Sequence, residues 1–351
     1  MSTIVKYEKG VKLSRKPENL SFIADPTTNA ASQGSHATFI THAHTDHSIA
    51  FPDAAAKVFS TKIASELYEK LTAKRPKNTH FIEFEKKQKI EDVEVKFIPA
   101  GHLLGAAQIL FYFPDMTVCY TGDISTDEML TVPKAKIPDE EIDVLITEAT
   151  YGSKDIYFDS RERTKITLLK WIVENLQNKR TPLINLGHLG AAQEIIAFLN
   201  SMLSVDILCD SRTSKINETY KKNKIQLNWE NYEDIDVSIF EPENTVVLLP
   251  RAAKKLPSFL DGHKITRAMV TGQAARFAYT KFDQTFPFSM HVNSTELVNF
   301  IEKIKPKKVY TLYGFDSELA FLVRHKLKIP SRPLKLAKKK PTLDEYLNDK
   351  K

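Results

Sequence analysis

The run His42-Ala43-His44-Thr45-Asp46-His47 constrains this chain more than any other feature. It sets three imidazoles and a carboxylate within six residues, directly after the β-branched and aromatic stretch Ala37-Thr38-Phe39-Ile40. That stretch predicts a strand, so the run falls on a strand-end loop, where a rigid scaffold displays its chemistry. Imidazole nitrogen and carboxylate oxygen are donors that zinc takes in a roughly tetrahedral shell. From such a loop His42 and His44 can address one ion, while Asp46 and His47, on the following turn, address a neighbouring one. A polar loop without a metal to bind rarely carries four donors at this spacing.

The same pattern, a short strand and then a loop bearing His, Asp or Glu, recurs through the first 150 residues. Phe22-Ile23-Ala24 leads into Asp25, and Val93 to Ile98 stops at Pro99 ahead of His102. Val118-Cys119-Tyr120 stops at Gly122 ahead of Asp123, and Val144-Leu145-Ile146 ends just before Glu148. From about residue 160 helix and strand alternate. Ile166, Leu169, Ile172, Val173 and Leu176 share one helical face, Pro182 to Leu186 reads as a strand, and Ala191 to Leu203 reads as a helix entered through Gly187 and Gly190. With a further strand over Val246 to Leu249, this alternation predicts an α/β unit with a parallel sheet. A last helix, strand and helix follow, carried by Leu297, Phe300, Ile301 and Ile304, then Val309 to Leu312, then Leu319 to Leu327. From about Ser331 the chain is basic and lacks core-forming periodicity. No internal repeat is visible.

The length of 351 residues suits one large domain or two ordinary ones. Cys119 and Cys209 cannot make a disulfide framework and suit a reducing compartment. No stretch has signal-peptide character or membrane-spanning length, so the expectation is a soluble cytoplasmic protein without a membrane partner. A net charge of +6 favours a polyanionic partner. Lys215, Lys221, Lys222, Lys224, Arg251, Lys254, Lys255 and Arg276 are the candidate phosphate contacts, to be weighed as a group. Binding through such a group weakens steeply as salt rises.

The series Asp25, His42 to His47, His102 and Asp123 resembles motifs one to four of the metallo-β-lactamase superfamily. The resemblance implies an α/β fold, an αββα sandwich with one or two zinc ions at the sheet edges. The implied ligation places His42, His44 and His102 on one zinc and Asp46 and His47 on the other, with Asp123 bridging. Asp25 would orient a ligand loop from behind. Thr147-Glu148-Ala149-Thr150-Tyr151-Gly152 resembles motif A of the β-CASP nucleases, the segment Gly187 to Glu194 resembles the opening of a helix in their inserted domain, and Phe288-Ser289-Met290-His291 resembles motif B. The implied organisation is a metallo-β-lactamase domain over 1–157 and 288–330, an inserted α/β β-CASP domain over 158–287, and a basic tail over 331–351.

Pro99 to Gly105, Ile146 to Gly152 and Val270-Thr271-Gly272 are worded like ligase-associated DNA exonucleases and archaeal mRNA 3′-end processing factor-like exonucleases. The resemblance therefore implies a zinc-dependent nuclease that hydrolyses phosphodiester bonds, with Asp46, His291 and Glu148 in catalytic roles. His291 would contact the phosphate or protonate the leaving oxygen, and Glu148 would orient a histidine. One departure stands out: Tyr313 occupies the place where RNA-cutting members carry the motif C histidine. Tyr313 would then touch substrate, lie beside the metal or simply pack. The departure favours DNA over RNA and a DNA exonuclease of repair or replication.

The peptide Lys340-Pro341-Thr342-Leu343-Asp344-Glu345-Tyr346-Leu347 is similar to the short C-terminal segment by which DNA enzymes hook the sliding clamp, with Leu343, Tyr346 and Leu347 as the apolar plug. The alternative is an amphipathic tail with no partner. Three other functions share parts of the pattern: an RNA-processing β-CASP ribonuclease, a lactonase or β-lactamase-type hydrolase of small molecules, and a binder without catalysis. The complete donor series through Asp123 argues against the last.

Overall fold

The computed structural model of the protein describes residues 2–16, 19–236 and 240–335. The peptide with Leu343, Tyr346 and Leu347 lies outside the described residues. The first sheet runs in sequence order through β1 (Ser2–Tyr7), β2 (Val11–Lys16), β3 (Leu20–Ala24), β4 (Ala37–Phe39), β5 (Val58–Ser60) and β6 (Thr79–Phe81). Two helices accompany it, the short α1 (Asn29–Ser32) and α2 (Lys62–Thr72). β1 to β3 pair antiparallel as a meander, and β3 to β6 are parallel.

A second sheet begins with β7 (Lys87–Ile90), β8 (Val93–Pro99), β9 (Ala107–Phe113), β10 (Met116–Tyr120) and β11 (Val144–Glu148). The chain then leaves to build a third sheet, and returns to complete the second with β18 (Lys308–Leu312) and β19 (Ser331–Pro333). β8 and β10 both run antiparallel to β9, and β11 and β18 run parallel to β10. The carboxyl ends of β8, β10, β11 and β18 therefore point the same way.

The first two sheets pack face to face. The inward residues of β2 to β5, including Leu13, Phe22, Phe39 and Phe59, share one apolar cluster with Val95, Phe97, Ile109, Phe111 and Ile146 of the second sheet. Phe39 meets Phe111 edge to face with centroids 5.0 Å apart, a geometry that contributes about 1 kcal/mol beyond simple burial. Alternation of the strand residues explains the arrangement: on β8, Val93, Val95 and Phe97 are buried in this layer.

The third sheet consists of β12 (Thr181–Leu186), β13 (Asp206–Cys209), β14 (Glu230–Asn231), β15 (Thr245–Pro250), β16 (Ile265–Val270) and β17 (Gln284–Phe286), in the order β14-β13-β15-β12-β16-β17. Every pairing in it is parallel, as the helix–strand alternation predicts. The crossovers include α3 (Arg161–Gln177), α4 (Ala191–Met202) and α5 (Ser211–Lys222). α6 (Ser294–Ile304) and α7 (Asp316–Leu327) flank β18. Strands of the third sheet, including β12, are buried along their length because both faces are covered. One apolar cluster joins Ile40, Leu103 and Ile124 below the second sheet to Ile184, Ile195 and Ile196 of the third, and α2 packs against α5.

Two expectations need correction. The fully buried face of α3 is Thr164, Lys165, Leu168, Ile172 and Asn175; of the expected stripe Ile172 is buried and Leu169 and Leu176 pack partly buried against the core, but Ile166 is exposed. The helix is rotated because Lys165 is drawn inward to Glu194, 2.9 Å away, and Glu194 also accepts from Thr131. A buried carboxylate on α4 needs a cation more than the core needs Ile166. The stretch read as a basic tail also opens on structure: Ser331 to Pro333 form the edge strand β19, and Leu334 is buried against the sandwich. Among the described residues no helix is long and apolar enough to cross a membrane. Cys119 and Cys209 are buried free thiols.

Candidate metal centre

Loops at the carboxyl ends of the facing sheets meet at one place. Asp25 follows β3, His42 to His47 follow β4, His102 follows β8, Asp123 follows β10, Glu148 ends β11 and Tyr313 follows β18. His291 arrives from the segment between β17 and α6. Two glycines make the convergence possible. Gly101 has φ +75°, and a Cβ there would strike the Ser125 carbonyl and the Ala135 amide. Gly122 has φ +55°, and a Cβ there would lie 2.7 Å from the side chain of Thr41. Only glycine accepts that backbone and that closeness together.

His42, His44, His102 and Asp123 each offer one donor atom, all within 4.8 Å of one another. The outer hydrogen bonds decide which ring nitrogen of each histidine faces inward. The Thr41 hydroxyl donates to Asp25 at 2.7 Å, so it accepts from His42 Nδ1 at 2.9 Å. His102 Nδ1 donates to the Met290 carbonyl at 3.2 Å, and His44 Nε2 reaches the Leu189 carbonyl at 3.5 Å. Each ring thus uses its N–H outward and turns a lone pair to the common point. Those lone pairs are His42 Nε2, His44 Nδ1 and His102 Nε2. His42 Nε2 is fully buried and makes no hydrogen bond, with Asp123 Oδ2 3.4 Å away. Buried nitrogen without a partner is rare and asks for an occupant. The donor set, three neutral imidazoles and a carboxylate, is one that zinc takes.

The protonation states agree. Burial, reinforced by the neighbouring histidines, holds His42 and His102 well below the usual imidazole range. Burial also lowers His44, to about 4. All three are neutral at pH 7, as ligands must be. Burial raises Asp123 to about 6 against the pull of His47.

His47 behaves differently. Its Nδ1 donates to Asp25 at 2.8 Å, and its Nε2 faces Asp123 Oδ2 at 3.6 Å and Asp46 Oδ2 at 3.9 Å. Burial alone would depress it, but Asp123 and Asp25 overrule burial and raise it to about 10. Asp25, fully buried, also accepts from the Thr41 amide at 2.9 Å and the Tyr120 hydroxyl at 2.8 Å. The Tyr313 hydroxyl interacts with Tyr120, and its ring lies 5.4 Å from that of His47. Asp46 stands apart at the rim, its side chain 81% exposed and outside the clusters of convergent donors.

Asp123, Glu148 and His291 form a further cluster. Glu148 accepts from His291 Nδ1 at 3.0 Å and from the Ile124 amide at 2.7 Å, so it fixes both His291 and the loop bearing Asp123. Burial disfavours the His291 charge, yet Glu148 and Asp123 raise the ring to about 9. Sequence reasoning missed Arg161. Its guanidinium donates to the Ser289 carbonyl at 2.9 Å and the His291 carbonyl at 2.6 Å, and pairs with Asp127 and Glu296. It thereby holds the residues on both sides of Met290. A lone arginine at a helix start carries no sequence signal for that task.

The candidate phosphate contacts are scattered. Arg251 bears on Tyr151, whose ring lies 5.9 Å from His291, and Arg276 stacks on Phe315, two residues from Tyr313. Lys215 lines a groove of about 910 Å³ between α2 and α5 that His188 also lines. Lys222 pairs with Glu66, and Lys221 lies over Trp229. Lys224, Lys254 and Lys255 are exposed.

No family model matches the chain. Among curated proteins it is 26% identical over 297 residues to a probable DNA ligase from Opitutus terrae, a match covering 82% of this chain and 28% of that protein. It is 32% identical over 184 residues to an RNase J-like protein from Methanocaldococcus jannaschii, covering 48% and 44%. It is 24% identical over 322 residues to the DNA cross-link repair protein SNM1 of Arabidopsis thaliana, covering 84% and 64%. The chain thus spans less than two thirds of the length of each of these relatives. A crystal structure of a protein of unknown function from Enterococcus faecalis V583 has the same fold, with a TM-score of 0.66 at 14% identity over 96% of this chain and 98% of that one.

Proposed function

We propose that this chain, whose relatives are members of the metallo-β-lactamase and β-CASP family, is a zinc-dependent nuclease that hydrolyses phosphodiester bonds. The observation that carries the reading is the convergence of three neutral histidine lone pairs and Asp123 on one point at the edge of two facing sheets. On this reading the facing sheets are the αββα metallo-β-lactamase sandwich, over 1–157 and 288–330, and the parallel sheet between them in sequence is the β-CASP insertion over 158–287.

His42, His44, His102 and Asp123 would hold one zinc, and His47 with Asp46 and Asp123 a second. A bound zinc ion brings Lewis acidity and a lowered water pKa to a reaction that bulk water performs poorly. The protein's own groups supply the rest. Asp25 keeps His47 turned inward through Nδ1. Glu148 keeps His291 protonated near neutral pH, so its ring can donate to a phosphoryl oxygen or deliver a proton to the leaving oxygen. Asp46, exposed at the rim, is free to turn toward His47 Nε2.

DNA is favoured as substrate, in repair or replication. The relatives with DNA-related names align over 82% and 84% of the chain, while the RNase J-like protein aligns over 48%. Tyr313 in place of a further histidine points the same way. An RNA-processing role is the second reading, favoured by the 32% identity of that same RNase J-like match. Incubating the protein with labelled single-stranded DNA and RNA, before and after chelation and with zinc restored, tests both readings. Cleavage lost on chelation and regained with zinc is expected, faster on DNA. Cleavage of neither polymer by zinc-loaded protein would sink the nuclease reading, and a preference for RNA would exchange the two. A sliding-clamp contact through Leu343, Tyr346 and Leu347 is tested separately, by retention on immobilised clamp compared with Tyr346→Ala.

A further inference from the structure

The rim beside Tyr313 carries a feature that no metal role explains. After β16 the chain makes a tight turn at Gly272, whose Cα packs so closely on Tyr151 and Ser289 that a Cβ would lie 2.9 Å from the Ser289 side chain. That contact anchors the following residues to the segment bearing His291. Arg276 and Phe277 come next and are both exposed. The Arg276 guanidinium lies 5.0 Å from the centre of the Phe277 ring and 4.7 Å from that of Phe315. Phe315 is fixed in turn, its amide donating to the Ala149 carbonyl at 2.7 Å, one residue from Glu148. A cation packed between two aromatic rings is held in place, whereas a free surface arginine is not. Phe277 leaves 53% of its surface open, so the ring is accessible to a planar group, and Arg276 beside it can take a phosphate.

Resting on the phosphodiesterase reading above, we propose that Phe277 and Arg276 form the binding station for one unpaired nucleotide beside the scissile bond. The base stacks on the open face of Phe277, and the phosphate of the same nucleotide takes the N–H edge of Arg276. A paired base is not available to such a ring, because its faces are already covered in the duplex. The station therefore selects an unpaired strand, and its stacking contact is indifferent to the sugar. Its chemistry admits single-stranded DNA and RNA alike.

Equilibrium binding of the full chain to short fluorescent oligonucleotides tests this without relying on turnover. The probes are single-stranded DNA, single-stranded RNA, duplex DNA, and a DNA strand of the same length made wholly of abasic residues. Phe277→Ala is expected to weaken binding of both single strands about tenfold, within the range of one base–aromatic stack. Phe277→Trp is expected to restore it. Binding of the abasic strand is expected to be the same for wild type and Phe277→Ala. Arg276→Ala is expected to weaken single-stranded and abasic probes together and to flatten the salt dependence. Equal losses on base-bearing and abasic strands with Phe277→Ala, or no loss on either, would overturn the proposal, as would a wild-type preference for duplex. Binding that follows the expected pattern in a protein that cuts neither polymer would refute the nuclease reading and leave this station standing.

Discussion

Asp25 and His47 share a contact of 2.8 Å between a carboxylate oxygen and Nδ1, in a place where Asp25 is closed to solvent and His47 is nearly so. The same carboxylate takes the Thr41 hydroxyl and the Tyr120 hydroxyl. One buried acid thus sets the ring orientation of His47 directly and that of His42 through Thr41.

It follows that Asp25→Ala should weaken metal binding by about 10- to 100-fold although Asp25 lies behind the donors, the usual cost of losing a partner of this kind. It should also lower stability by roughly 2 kcal/mol, because the Tyr120 hydroxyl and Thr41 are left buried without an acceptor. Zinc titration and chemical denaturation of the metal-free protein separate the two effects. Unchanged zinc affinity would show that His42 and His47 hold their orientation by packing alone.

Metal uptake should be linked to protons with a definite sign. His47 is raised to about 10, so in the metal-free protein it carries a proton at pH 7 that an ion bound at Nε2 must displace. Asp123, raised to about 6, adds to this only below neutrality. Affinity for an ion that uses His47 should therefore strengthen about tenfold per pH unit between pH 7 and pH 9 and level off above 10. An ion held by His42, His44 and His102 alone meets rings that are already neutral and should show no such slope. Calorimetry in buffers of different ionisation enthalpy counts the protons released per zinc. Two zincs bound with no proton released at pH 7.5 would contradict the placement of His47 at the second ion.

The convergence of these donors was legible in the sequence because each sits where a strand gives way to a loop, and parallel strand direction then brings those loops to one edge. Asp25, His102 and Asp123 follow that rule, as does Glu148 at the end of β11. The groups that finish the site were not legible. The Met290 and Leu189 carbonyls that turn His102 and His44 belong to backbone, and any residue type offers a carbonyl. Arg161 acts across 130 positions, and helical periodicity says nothing of such contacts. The rotated face of α3 escaped for the same reason, since the apolar pattern cannot register that Glu194 needs Lys165.

Asp210 illustrates a stability contribution away from the metal. It is the N-cap of α5, its side chain accepting from the Arg212 and Thr213 amides, and its other oxygen lies 3.4 Å from His188 Nδ1. Burial would raise it, but His188 and the capping bonds prevail and lower it to about 2. A folded-state pKa below the unfolded value of about 3.9 means stability that is complete above pH 4 and is lost as pH falls toward 2. Asp210→Ala should cost about 1 kcal/mol near pH 6, as for other lost N-caps, and the gap between wild type and variant should narrow toward pH 2. Urea denaturation at both pH values measures it. A gap that widens on acidification would mean that the carboxyl is not charged in the fold.

Arg161 provides the sharpest separation of packing from geometry. Its guanidinium spans two carbonyls and two carboxylates, a pattern that a planar fork of donors meets and an ammonium does not. Arg161→Ala removes the guanidinium that lies between Asp127 and Glu296 and leaves two carbonyls without their donor, which should cost about 2 kcal/mol, enough to confuse any functional reading. Arg161→Lys keeps the charge and most of the volume but can reach only some of the four acceptors. The loop from Ser289 to His291 should then shift while the fold persists. Because the Met290 carbonyl within that loop sets the ring of His102, and His291 itself faces Glu148, the variant should lose zinc affinity and turnover together. A loss of about tenfold in each, with an unfolding midpoint close to wild type, is the expected result. Wild-type turnover and zinc affinity in Arg161→Lys would show that the loop is held by α6 and its Asn293 cap instead, and that the fork serves stability only.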